Sequence, residues 1–185
     1  LISNFDLSGA ASPQETVTMA RAGLECYGDV APREPITDVT CEAIRIGSMD
    51  AEWIFAPGAD LGRRLLHIHG GGLIGGSLSS HRPMAAELAR RTGFAVLHIA
   101  YRLAPENIFP AAHDDCAAAY GWMEHSAPGG ITAPATRLFI SGDSAGGNLA
   151  VATCARAIKD GGRIPDALAL LCPTLDNTDN PVRPV

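Results

Sequence analysis

Residues 137–150 read RLFISGDSAGGNLA, and the order of residue types in that stretch decides the fold. RLFIS is a short apolar run of the kind that fills a strand buried on both faces. From Ala145 the alanine-rich AGGNLAVATCARAIKD has the composition of a helix, ended by Gly161 and Gly162. Between the two lies Gly142-Asp143-Ser144-Ala145-Gly146, a GxSxG pentapeptide. A serine raised on a sharp strand-to-helix turn has a strained backbone, and side chains two residues to either side would collide with it, which accounts for glycine at 142 and 146. The same turn aims the free amide of Ala145 and the helix dipole at the hydroxyl, where an oxyanion would form. The pentapeptide alone is a weak signal in a glycine-rich chain; its position on a strand–helix boundary gives it meaning.

Working outward, Arg64 to His69 is a compact apolar run ending in Gly70, Gly71 and Gly72, a buried strand followed by a loop. Ser79 or Ser80 caps a helix with Pro83 in its first turn, running to about Arg91 and stopped by Gly93. Phe94 to Ala100 and Ala167 to Cys172 are further buried strands, and 111 to 125 is a helix closed by PGG. Nearer the N-terminus, 12 or 13 to 26 suits a short amphipathic helix broken by GDVAPREP, and 36–46 and 51–55 alternate as strands joined at GSMD. Strands of five to seven apolar residues separated by helices imply an α/β fold, a mostly parallel sheet with helices on both faces.

Composition narrows the function. The chain is 46% hydrophobic and 18% charged, an ordinary globular balance. Of its net charge of −6, all but −1 sits in the first 50 residues, which hold eight acidic side chains against three arginines. No Lys/Arg cluster exists to neutralise phosphates, which speaks against nucleic acid and against an anionic membrane surface as partners. No apolar run reaches the roughly 20 residues that span a bilayer, and LISNFDLS has neither a basic leader nor a long apolar core. Cys26, Cys41, Cys116, Cys154 and Cys172 form no CxxC pair and read as buried thiols in a reducing, cytoplasmic compartment. His67 and His69 share one face of a strand without a third ligand nearby, so no metal site is expected.

Two glycine loops remain. Residues 70–75, GGGLIG, satisfy GxGxxG after a strand, so a nicotinamide-linked oxidoreductase has to be weighed. That fingerprint needs a helix opening within the glycines and an acid about 20 residues later. Here Gly75, Gly76, Ser77 and Pro83 delay the helix and the next strand ends in Ala100, Tyr101 and Arg102, leaving only Arg102 to meet a 2′-phosphate. The same glycines have a second use. An oxyanion hole needs convergent N–H donors from the residue after the nucleophile and from an earlier loop of the same sheet, and HGGG at 69–72 is such a loop.

With HGGG at 69–72, YRLAPENIFPAA at 101–112, GDSAGGNLA at 142–150 and LALLCPTLD at 168–176, the chain resembles the hormone-sensitive-lipase-like branch of the α/β-hydrolase esterases from about Arg63 to Asp176. The resemblance implies an α/β-hydrolase fold, here an N-terminal portion lacking the last strands, and hydrolysis of small carboxylic esters with short to medium acyl chains. It implies no cofactor. It makes Ser144 the nucleophile, with Ala145, Gly71 and Gly72 donating amides to the oxyanion, Asp143 in support and His69 holding the loop. Residues 1–45 would be a cap segment and 46–185 the N-terminal part of the catalytic domain.

Ala100 stands where the family often has an aspartate. The family's catalytic acid and histidine lie beyond the LALLCP strand, so they are expected outside this chain, on a continuation or on a second polypeptide of about 110 to 150 residues, without which 1–185 would not be an autonomous domain. His67, His69, His81, His98, His113 and His125 all have structural readings instead, as strand, loop, helix-start or helix-end residues. Arg102 with Glu106 reads as an ion pair shaping its loop, and Trp53 and Trp122 as packing. A non-catalytic receptor for a small ligand on the same fold is the alternative within the resemblance, and a homo-oligomer is compatible with it.

Overall fold

The computed structural model describes residues 12–26 and 36–176. GDVAPREP and the turn-rich NTDNPVRPV lie outside the described residues. The strands are β1 (Thr40–Ile46), β2 (Met49–Phe55), β3 (Asp60–Ile68), β4 (Phe94–Ile99), β5 (Ser126–Ala127), β6 (Ile131–Thr132), β7 (Arg137–Asp143) and β8 (Ala167–Leu171). The helices are α1 (Pro13–Glu25), α2 (Leu78–Thr92), α3 (Ala111–His125) and α4 (Ala145–Lys159). Six strands form one sheet in the order β1-β2-β4-β3-β7-β8. The hairpin of β1 and β2 joins antiparallel onto β4, while β4, β3, β7 and β8 run parallel. Parallel neighbours need a long crossover, and α2, α3 and α4 provide it.

Alternation along the strands separates two packed layers. Leu66 and Ile68 of β3, Leu97 and Ile99 of β4, and Leu138 and Ile140 of β7 share one core with Cys116, Ala119 and Met123 of α3 and Leu149 and Ala150 of α4. Leu65, Val96 and Ile54 point the other way, onto Ala85, Ala86 and Ala89 of α2. The alanine stripes let each helix lie close to the sheet. Arg64 begins this alternation as a fully buried guanidinium that donates to the carbonyls of Leu61, Met123, Glu124 and Ala133, closing the C-terminal end of α3.

Several sequence expectations need correction. α2 starts at Leu78 with Ser77 as its cap, not Ser79 or Ser80: the Ser77 hydroxyl accepts from the Ser80 amide and the Ser80 hydroxyl from the Ser77 amide, at 3.1 and 2.9 Å. Pro83 therefore lies inside the helix rather than in its first turn. β1 starts at Thr40 rather than 36, and the expected division at 45/46 falls inside this edge strand of the sheet. Of the cysteines only Cys116 is buried, whereas Cys26, Cys41 and Cys172 are exposed and Cys154 is intermediate. Among the described residues no helix is long and apolar enough to cross a membrane.

Candidate active site

Ser144 is the single residue between the end of β7 and the start of α4, with φ 51° and ψ −118°. That combination costs an L-residue about 1–3 kcal/mol and persists only when its surroundings over-determine it. Here they do. The Ser144 amide donates to Leu171 O at 2.9 Å, and the Ser144 carbonyl accepts from Gly147, Asn148 and, across the sheet end, Thr174. The side chain stands exposed between buried Asp143 and Ala145, and among the described residues its hydroxyl has no hydrogen-bond partner.

The flanking glycines are required by close backbone approach. A Cβ on Gly142 would stand 2.8 Å from Gly147 N and closer still to the Gly146 carbonyl. One on Gly146 would stand 2.6 Å from His69 O and closer to Ile68 O. The start of α4 is thus pressed against the end of β3, where the glycine loop begins.

That loop is a run of left-handed turns, with φ 117° at Gly71, 64° at Gly72 and 65° at Leu73. The amides of Ile74 and Gly75 both donate to Gly71 O, at 3.2 and 3.0 Å. A Cβ on Gly71 would meet the Gly75 carbonyl. Among the described residues the Gly71 and Gly72 amides donate to nothing, and the Ala145 amide is one of the helix-start donors that lack an intrahelical acceptor. The two loops are tied together directly, the Gly70 amide donating to Asp143 Oδ1 at 3.0 Å. Ser144, Ala145, Gly71 and Gly72 therefore come from neighbouring segments at one end of the sheet.

Asp143 is the buried link. Its burial opposes ionisation, but His81, His67 and the Gly70 amide outweigh this and hold the carboxyl below its ordinary value. His81 Nε2 stands 3.7 Å from Oδ2, an ion-pair rather than a hydrogen-bond distance, while its Nδ1 meets Ser80 Oγ at 2.9 Å. His69 donates from Nδ1 to Gly70 O at 2.8 Å, stacks on Tyr101 at 4.3 Å, and is pushed down to about 3, first by burial. Tyr101 donates its hydroxyl to His69 O at 2.8 Å. The strand and loop readings of these histidines agree with their places.

Behind this cluster the α2 face of the sheet carries a polar row that sequence reading missed. Glu52, His98, His67 and Ser141 are cross-strand partners on four successive strands, all buried. Arg82 Nε donates to both Glu52 oxygens, at 3.1 and 2.9 Å, and His98 Nδ1 lies 3.1 Å from Glu52 Oε1. A carboxylate there makes His98 Nδ1 the protonated nitrogen. Burial raises Glu52 against the pull of Arg82, and burial lowers His98 to about 3. His67 Nδ1 meets Ser141 Oγ at 3.0 Å, and burial holds its ring well below the usual imidazole range. The signal was available only as equal strand parity combined with register, and register is tertiary.

Arg102 does not pair with Glu106. It donates to both oxygens of Asp115, so it is engaged rather than aimed at a 2′-phosphate, and Glu106 pairs with Arg21 of α1. Trp53 is buried, with its ring 6.0 Å from that of Trp122. Among the described residues no three His, Cys, Asp or Glu side chains gather as a metal-ligand set.

The family described as the alpha/beta hydrolase fold matches residues 65–184. Among curated proteins, an acetyl-hydrolase of Streptomyces hygroscopicus is 38% identical over 162 residues, covering 80% of this chain and 52% of the relative. The hormone-sensitive lipase of Bos taurus is 40% identical over 122 residues, 64% of this chain and 16% of the lipase. Among solved structures, an esterase/lipase from an uncultured bacterium matches with a TM-score of 0.75 at 36% identity, covering 92% of this chain and 55% of that one. An esterase from the bacterial hormone-sensitive lipase family gives 0.69 at 33%, covering 90% and 59%. The chain thus spans about half the length of the acetyl-hydrolase and of these two esterases.

Proposed function

The chain belongs to the alpha/beta-hydrolase fold family, in its hormone-sensitive-lipase-like branch, and from that premise we propose that it is the part of a carboxylic ester hydrolase that carries the nucleophile Ser144 and the oxyanion site. The observation that supports this reading is the exposed Ser144 side chain on a strained strand-to-helix turn, at the same end of the sheet as the unpaired amides of Ala145, Gly71 and Gly72. In this reading Ser144 Oγ attacks the ester carbonyl carbon as a base takes its proton. The carbonyl oxygen becomes an oxyanion facing the three amides. Its collapse expels the alcohol, which takes the proton back, and water then releases the acyl group by the same steps.

The base and its orienting acid are carried by sequence outside residues 1–185. Support comes from the share of the relatives that this chain spans and from the described histidines. His67, His69, His81 and His98 are buried and tied to Ser141, Gly70, Ser80 and Glu52. The substrates are small neutral esters with short to medium acyl chains. The residues ahead of β1 form a cap segment, of which α1 is the described helix at the glycine loop. The test is covalent labelling of the full-length protein by a fluorophosphonate, with hydrolysis of a short-chain chromogenic ester. Label on Ser144, and loss of both label and turnover in Ser144→Ala, is the expected outcome. Turnover that survives in Ser144→Ala would sink the reading, and ligand binding without turnover in the unaltered protein would favour a receptor.

A further inference from the structure

Arg21 of α1 reaches out of its helix to three acceptors on two different loops. Its Nε donates to Ile74 O at 2.6 Å, one terminal nitrogen to Ala104 O at 2.9 Å, and the pair to the Glu106 carboxylate at 2.9 and 2.6 Å. The Glu106 carboxyl is held down to about 2, first by those bonds from Arg21, so the pair stays charged across the neutral and mildly acidic range. Below Arg21 the helix touches the glycine loop itself, for a Cβ on Gly75 would lie 2.5 Å from Leu24 Cδ1.

The Ile74 carbonyl is not a passive acceptor. In a trans peptide the C=O and the following N–H are coplanar and point in opposite directions. The carbonyl held by Arg21 therefore belongs to the same plane as the Gly75 amide, which donates to Gly71 O at 3.0 Å. Gly71 O in turn belongs to the same plane as the Gly72 amide, which is unpaired among the described residues. Two peptide units thus lie in line between a guanidinium and a proposed oxyanion donor. Each hydrogen bond in such a chain polarises the next, and a charged donor at its head strengthens the whole series. Leu73, between them, is held separately, its carbonyl accepting from Ala104 N at 2.9 Å.

We propose that Arg21 is a positioning residue of the oxyanion site, fixing and polarising the Gly72 amide through the 74–75 and 71–72 peptide planes, so that docking of α1 and competence of the site are one event. The proposal rests on the ester-hydrolase reading for its kinetic consequence, but not for its structural one. Glu25 provides the contrast. It anchors the same helix by accepting from Ser77 Oγ at 2.8 Å and, among the described residues, makes no hydrogen bond to either peptide unit.

The experiment uses the full-length protein with Arg21→Ala, Arg21→Lys and Glu25→Ala. Amide hydrogen exchange over residues 70–76 is expected to rise about tenfold in Arg21→Ala, less in Arg21→Lys, and not in Glu25→Ala. For a neutral short-chain ester, kcat is expected to fall about tenfold in Arg21→Ala with KM within about threefold, to recover in part in Arg21→Lys, and to stay within twofold in Glu25→Ala. Unchanged exchange at 70–76 in Arg21→Ala overturns the proposal whatever the activity. So does an equal loss of kcat in Arg21→Ala and Glu25→Ala, which would reduce Arg21 to a helix anchor. Failure of the ester-hydrolase reading shows separately, as absence of label on Ser144 in the unaltered protein.

Discussion

If the chain is part of an ester hydrolase as proposed, Gly146→Ala should cripple turnover although it adds a single methyl group. The methyl would sit 2.6 Å from His69 O and 2.8 Å from His69 C, and closer still to Ile68 O, all backbone atoms at the end of β3 that cannot rotate away. Ordinary contacts begin near 3.4 Å, so the start of α4 must move away from β3 by close to 1 Å. That shift carries the Ala145 amide away from Gly71 and Gly72. A misplacement of about 1 Å in a positioned group costs roughly 100-fold in rate. Overpacking that rigid neighbours cannot relieve adds about 3 kcal/mol of instability. Steady-state kinetics on a short-chain ester, run beside thermal unfolding of the full-length protein, measures both. Gly121→Ala is the control. It lies exposed within α3 with nothing within 4 Å of its added Cβ, so the same substitution should raise stability by about 0.5–1 kcal/mol and leave kcat alone. A Gly146→Ala protein with kcat within threefold of the unaltered one and an unshifted melting temperature would refute the claim that close approach of α4 and β3 sets the site.

The strain at Ser144 predicts an inversion of a usual rule. Ser144→Ala and Ser144→Gly should both abolish turnover, but Ser144→Gly should be the more stable of the two by about 1 kcal/mol, since only glycine enters φ 51°, ψ −118° freely; thermal melts showing alanine more stable would count against it. Acid should unfold the protein early. His69 and His98 are held near 3 by burial and His67 is lowered as well, whereas all three titrate near 6.5 when unfolded, so the unfolded chain takes up protons that the folded one refuses. The stabilisation from His69 and His98 is complete above about pH 6.5 and is lost as pH falls toward 3, by about 1.4 kcal/mol per pH unit for each of these two rings; denaturant titrations at several pH values should show a slope reduced by one ring in His98→Gln, and an unchanged slope would contradict it. Arg64→Met should cost about 3 kcal/mol or more by removing the donor that serves the carbonyls of Leu61, Met123 and Ala133, with kcat of the folded fraction preserved, both readable from denaturant unfolding and active-site titration.

What the chain alone determined is what neighbouring residues decide among themselves. Apolar runs such as RLFIS and alanine-rich stretches such as 145–159 settle strand and helix by periodicity, and their order settles a mostly parallel sheet with helices on both faces. Glycines at 142 and 146 around Ser144, and at 70–72 after a strand, mark close backbone approach before any partner is known. What the tertiary structure decided is which partner each polar group takes. Arg102 had an acid four residues away at Glu106 but binds Asp115, because the loop after β4 folds back along α3 and leaves Glu106 to α1. Glu52, His98, His67 and Ser141 are far apart in sequence, and only the register of β2, β4, β3 and β7 sets them in one row. Cys172 sits next to an apolar strand yet is exposed, because β8 lies at the edge of the described sheet and none of its residues is buried. Backbone preference is local and survives in the sequence; the choice among several equally suitable charges depends on distances through space, which exist only once the sheet has formed.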